Sequence, residues 1–259
     1  VIRVGPKVLA LAGNTFREGV RDRLFVAVAI FGGVILASSF IIGPLSLGEQ
    51  ARITQDMGLA AISVLSFLIA ILIGTGIVYK EIERRTIYTV VAKPVSRWQF
   101  IVGKFVGLTA TVSLLMGMMT VFLVIVNWIA SGGFAPQLLT AVLLTWMELM
   151  LLTALSILMS TLSSPILGAI FTLLLYFIGH TSADLKQLAF RFGSNSVKAI
   201  VGAVYYALPN LEYLNVRSKV IHEVPVDLQY VAFASSYALL YTVAFLVLAI
   251  LVFERKEFK

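Results

Sequence analysis

Between Phe105 and Met147 the chain runs 43 residues without an Asp, Glu, Lys or Arg. One membrane crossing needs roughly 20 apolar residues, which at about 1.5 Å per residue cover a hydrocarbon core about 30 Å thick. A charge at the bilayer centre costs roughly 2.5–3.5 kcal/mol on insertion scales, so runs free of charge mark the spans. The 43-residue run is too long for one helix, and Ser131-Gly132-Gly133 with Pro136 divide it. This predicts a third span over about 99–130 and a fourth over about 137–160. Leu24–Leu47 and Met57–Tyr79 supply the first and second. The run Leu149–Ala183 is cut by Ser163-Ser164-Pro165, with Pro165 suited to a first helical turn, and gives a short fifth span over about 165–180. Leu228–Phe253 is the sixth. Only 13% of residues are charged and 59% are apolar, against about 25% charged in a soluble domain. The fold class is therefore an all-α polytopic membrane protein with six transmembrane helices, one membrane domain over residues 1–259.

Six crossings put both termini on one side. That side, with the segment between the second and third spans, carries fourteen of the Lys and Arg residues against six on the other. By the positive-inside rule the termini are cytoplasmic, in a cell inner or plasma membrane. The net charge of +7 then reflects flanks facing an anionic leaflet, and no nucleic-acid partner is expected. Trp98 and Trp128 bracket the third span about 45 Å apart, as interfacial anchors do. Residues 4–23 set Val8, Leu11, Ala12, Phe16 and Val20 near helical spacing among Arg17, Arg21 and Arg23. This predicts an amphipathic helix on the cytoplasmic surface, or else a basic flank of the first span. Val197–Leu208 is apolar but only 12 residues long, which suits a re-entrant or interfacial helix before the last span. The first residues hold no signal-peptide pattern, so none is expected.

The charged island 80–104, KEIERRTIYTVVAKPVSRWQFIVGK, interrupts this apolar chain. Tyr79–Ala92 can continue the second span as a helix. Pro94 disfavours helix at Lys93 and ends it. Ser96 stands at an N-cap with Gln99 three residues on, the spacing of a capping box. The helix-turn-helix collects Glu81, Glu83, Arg84, Arg85, Lys93 and Arg97 in one zone. Such a zone can dock a soluble partner through charge pairs, or serve only as a basic loop that sets topology.

Glu83-Arg84-Arg85-Thr86, Ala92-Lys93-Pro94-Val95-Ser96-Arg97 and Gly103-Lys104 together resemble the type-2 ABC exporter permeases, in particular the branch associated with multicopper enzyme maturation. The six-span layout, the N-terminal elbow helix and Pro209-Asn210-Leu211-Glu212 before the last span are similar too. Arg85 stands where that family often has Gly. The resemblance implies that the helix after the second span is a coupling helix seated on an ATPase subunit. Glu81, Glu83, Arg84, Arg85, Thr86, Lys93, Pro94 and Arg97 would be its ATPase-coupling residues. It also implies a second permease copy, identical or related, with ATP and Mg held by the partner ATPase. No cofactor is expected in this chain, which lacks a nucleotide-binding G-x-x-x-x-G-K-[ST] motif.

Glu148 is the acid inside the fourth span. It is expected to be a pathway or gating residue facing a dimer interface, or a neutral carboxyl hydrogen-bonded to a neighbouring helix. Met116, Met118, Met119, Met147 and Met150 could suggest a copper(I) site, but Met fills gaps in apolar packing and neither His180 nor His222 is at ligand spacing with them, so no metal is expected. The chain has no Cys, which removes disulfides and thiol catalysis. Neither H-E-x-x-H nor G-x-S-x-G occurs. Gly103-x-x-x-Gly107 and the Gly74/Gly76 pair allow close helix approach, within the chain or at a dimer seam. Three functions follow as expectations. The first is the permease half of an ATP-driven ABC exporter. The second is a mechanotransmitting ABC subunit acting on an extracytoplasmic partner. The third is an intramembrane enzyme or assembly scaffold without an ATPase.

Overall fold

Each charge-free run becomes a helix, because in lipid only an intra-helical ladder satisfies the backbone of a single segment. The structure, a computed structural model, describes residues 4–42, 50–83, 96–131, 133, 135–192, 197–198, 201–203, 205 and 208–255. In chain order the helices are α1 (Val4–Arg21), α2 (Arg23–Ile42), α3 (Gln50–Ile77), α4 (Tyr79–Glu83), α5 (Arg97–Ser131), α6 (Gln137–Leu162), α7 (Pro165–Phe192), α8 (Arg217–Ile221) and α9 (Leu228–Arg255), with a 3-10 turn at Leu211–Leu214 between α7 and α8. No strand occurs among the described residues. Five of these helices, α3 with α4, α5, α6, α7 and α9, are long and apolar enough to cross a membrane. The predicted first span is α2, whose 20 residues reach about 30 Å.

α3 and α6 form the buried centre, and α7 and α9 keep most of their surface outside it. Ile62 and Ile69 on α3, Leu115 and Leu123 on α5, and Leu144 and Leu151 on α6 are fully buried. Packing and small residues, rather than water exclusion, bring such helices together in lipid. At Gly74 an added Cβ would run into the Ser156 hydroxyl, so α3 and α6 touch nearly backbone to backbone there. Several hydroxyls in the bundle bond to their own helix: those of Thr75, Thr153, Thr172 and Thr242 donate to the carbonyl four residues back.

The Gly103–Gly107 pair faces α1. A Cβ on Gly103 would come within 2.7 Å of Leu11 Cβ, and one on Gly107 within 2.5 Å of the Ala12 carbonyl and Thr15 Cβ. The motif thus lies on a seam inside the chain, between the elbow helix and α5. Asp22 separates α1 from α2 and accepts the Leu24 amide at 2.9 Å, an N-cap for α2.

Two expectations change in extent. The fifth span was expected to stop near residue 180, yet α7 continues to Phe192. Leu185, Leu188, Ala189 and Phe192 keep helical spacing beyond the apolar run, so the helix outlasts it. The second span does not flow unbroken into the island, because a turn at Val78 separates α3 from α4. Within the predicted helix 197–208, residues 197–198, 201–203 and 205 are helical, and 199–200, 204 and 206–207 lie outside the described residues. Before the last span the described short elements are the 3-10 turn and α8.

Candidate functional site

The island end of the bundle is tied together by side chains from four helices. The amides of Val78 and Tyr79, where α3 gives way to α4, donate to the Ser160 hydroxyl of α6 at 3.2 and 3.1 Å. Glu81 on α4 forms an ion pair with Lys104 on α5. Lys104 is fully buried, also 5.6 Å above the Phe100 ring, and an ammonium there persists only with a charge partner. The Gln99 side chain accepts the Ser96 amide at 3.1 Å, one half of the predicted capping box. Arg97 then reaches across to the end of α9, donating to the carbonyls of Phe253 at 3.0 Å and Glu254 at 2.7 Å. Terminal carbonyls have no intrahelical partner, so a guanidinium closes a helix end well. Phe100 and Phe253 stack beneath this contact with centroids 5.5 Å apart. A separate apolar cluster including Ile77, Val78, Phe105, Leu108, Ile157 and Ala249 fills the space around it.

Glu81 and Arg97, expected on the coupling surface, are therefore engaged inside the chain. Glu83 closes α4. Arg84, Arg85, Thr86, Lys93 and Pro94 lie outside the described residues. The end of α9 lies here, held by Arg97.

Glu148 is buried on α6. Its Oε1 is 3.4 Å from His180 Nε2 on α7, ion-pair distance rather than a tight hydrogen bond. His180 Nδ1 is 3.2 Å from the Tyr176 carbonyl. A carbonyl only accepts, so Nδ1 carries a hydrogen. One further proton is then shared between Nε2 and the carboxyl: an imidazolium facing a carboxylate, or a neutral ring facing a carboxylic acid. Tyr176 stacks on Phe67 of α3 at 3.9 Å, which fixes the α7 backbone that presents His180. Both groups open onto a cavity of about 210 Å³ between α3, α6 and α7, lined also by Ser63, Thr145 and, at its mouth, Asn215 and Arg217. That is smaller than the roughly 300–1,000 Å³ of drug-sized sites. Glu148 thus faces a polar chamber within the chain, beside His180 of the neighbouring α7.

The mouth is built by the segment before α9. Asn210 donates its amide to the Tyr237 hydroxyl at 2.7 Å and accepts the Glu212 amide at 3.0 Å, starting the 3-10 turn. Leu211 sits so close to Gly179 of α7 that a Cβ there would come within 2.7 Å of it. Arg217 at the start of α8 bonds Asp56 of α3 through Nε and Nη2, each 2.7 Å from Oδ1. Sequence reasoning missed His180, Lys104, Ser160 and the Arg217–Asp56 pair as partners. A signal existed for His180, an imidazole alone in the apolar run that follows the lone span acid. For Ser160 there was none.

A bundle of helices long and apolar enough to cross a membrane, with an internal polar chamber and a charged junction, defines a polytopic membrane protein. The chain matches the family described as ABC-2 family transporter protein over residues 9–258, and it belongs to that family. It is thus a multi-pass membrane subunit of an ABC transporter, of a kind that is not itself catalytic and works with ABC ATPase partners. Among curated proteins none matches.

Proposed function

We propose that this chain is the pathway-forming half of an ATP-driven exporter. Two copies, identical or related, pair with two ATPase subunits on the cytoplasmic face. ATP and Mg are bound there, and the movement enters through the segment that contains α4. The observation that carries this reading is the knot at the island end. α4 is fastened to α6 by Ser160 and to α5 by Lys104, and α5 is fastened to α9 by Arg97. A push on α4 therefore loads three spans at once. The excess of Lys and Arg on this side supports its cytoplasmic placement. The chamber at Glu148 is the natural place for a pathway to widen, and Glu148 is its gating residue.

A second reading has its own support. The segment 209–221 is bonded to both α3 and α9 at the opposite end, through Arg217–Asp56 and Asn210–Tyr237. Movement of the bundle would then reach an extracytoplasmic partner without moving solute. ATP-dependent accumulation of a candidate solute in inverted vesicles supports export, and ATP-dependent partner release without accumulation supports transmission.

Reversing charge at Glu83 or Arg84 tests the coupling. The expected result is loss of ATPase binding by a chain that still folds and inserts. Normal complex formation and transport in these variants would sink the proposal. If no ATP-binding subunit co-purifies at all, an enzyme or scaffold acting alone takes its place.

A further inference from the structure

Arg217 lines three spaces at once. One is the Glu148 chamber. The second is an open vestibule of about 610 Å³ that it shares with Arg52, Asp56, Asn215 and His222. The third is a groove of about 370 Å³ between α2 and α3, walled by Phe31, Ile35, Met57, Ala60, Val64 and Leu65. The groove is almost wholly apolar except where Arg217 and Asp56 close one end. Phe31 and Val64 form its rim and are 57% and 55% exposed. Asp56 directly precedes the charge-free run that begins at Met57, so the ion pair stands at the edge of the hydrocarbon. From Met57 to Leu65 the groove descends about 12 Å into it.

Both bonds from Arg217 to Asp56 fall on one carboxylate oxygen. Among the described residues Nη1 has no hydrogen-bond partner, so one edge of the guanidinium remains available. A guanidinium fork can match a carboxylate in two parallel bonds, and the end that carries Nη1 is left for a second carboxylate. Arg52 and Arg217 both line this vestibule beside Asp56. We propose that this junction binds a single-chain anionic amphiphile, its carboxylate on Arg217 and its hydrocarbon tail in the groove between α2 and α3. The polar head lies at the interface and the tail runs along the helices, the orientation such a molecule already has in a leaflet. The site is formed by this chain alone and goes beyond the ATPase-driven reading, so its failure leaves the coupling untouched.

The test is photolabelling of the full chain in phosphatidylcholine nanodiscs with a diazirine-bearing fatty acid. The label is expected on 31–35 and 57–65. Palmitate should displace it at about tenfold lower concentration than its methyl ester or hexadecyltrimethylammonium, the scale of one hydrogen bond to a charged group. Arg217→Gln should abolish that preference and Arg217→Lys should keep part of it. Val64→Trp, at the open rim where it disturbs no core, should lower labelling by acid and ester alike. Equal displacement by acid and ester, or an unchanged preference in Arg217→Gln, overturns the proposal. Label outside the groove, or none because a second copy covers it, overturns it too. Loss of label in phosphatidylglycerol nanodiscs would give the site to a bilayer lipid and overturn the fatty-acid assignment.

Discussion

Lys104 and Glu148 show how single charges survive in this bundle, each by a partner on another helix. Removing only the acid from the Glu81–Lys104 pair leaves a buried ammonium. Glu81→Gln is thus expected to destabilise the chain by on the order of 3 kcal/mol, with most of it recovered in Glu81→Gln with Lys104→Met. Thermal unfolding in detergent measures this, and a double variant no more stable than the single would contradict it. Glu148 and His180 hold one proton between them, so Glu148→Gln and His180→Gln are expected to impair transport several-fold each, with the pair of changes little worse than either. Transport unchanged in Glu148→Gln removes the pathway role. The sequence exposed Glu148 because an acid stands out in an apolar run. Its partner lies on the next span, where no short spacing links the two. Glu81 and Arg97 were legible as island charges, but their commitment to Lys104 and to the end of α9 depends on how the spans pack.

Helices α5, α6 and α9 follow the predicted spans closely, since lipid allows a lone segment little else, while α3 begins at Gln50, seven residues before its charge-free run. Where water begins, that constraint ends, and the differences lie there. α7 runs on to Phe192 because its apolar face continues at helical spacing past the last uncharged residue. The turn at Val78 depends on a hydroxyl from α6, 82 positions away, and no local pattern announces it. The α1–α5 seam is intermediate: Gly103 and Gly107 declared a close approach but not its partner. Gly107→Val forces a side chain against the Ala12 carbonyl and Thr15. It is expected to cost about 1–3 kcal/mol and to free α1. Faster proteolysis within residues 4–21 in reconstituted protein checks this, and unchanged protection would show the seam to be loose.

At the scale of the whole molecule, three features fit together. The island end is a knot in which α4 cannot move without α5, α6 and α9. The opposite end is a bonded cap on α3, α7 and α9, and a polar chamber lies between the two. The apolar outer faces of α7 and α9, among them Phe171, Phe177, Leu240 and Val247, are exposed on the single chain and suit lipid or a second copy. The chain offers no nucleotide motif, so in this account the energy comes from a partner through the island. The most direct test is the stoichiometry in which this chain co-purifies with an ATP-binding subunit, in the native form and in Arg84→Glu. The account predicts a one-to-one complex that is lost in the variant while its thermal stability is kept. An undiminished complex in Arg84→Glu, or no ATP-binding subunit with the native chain, would contradict it.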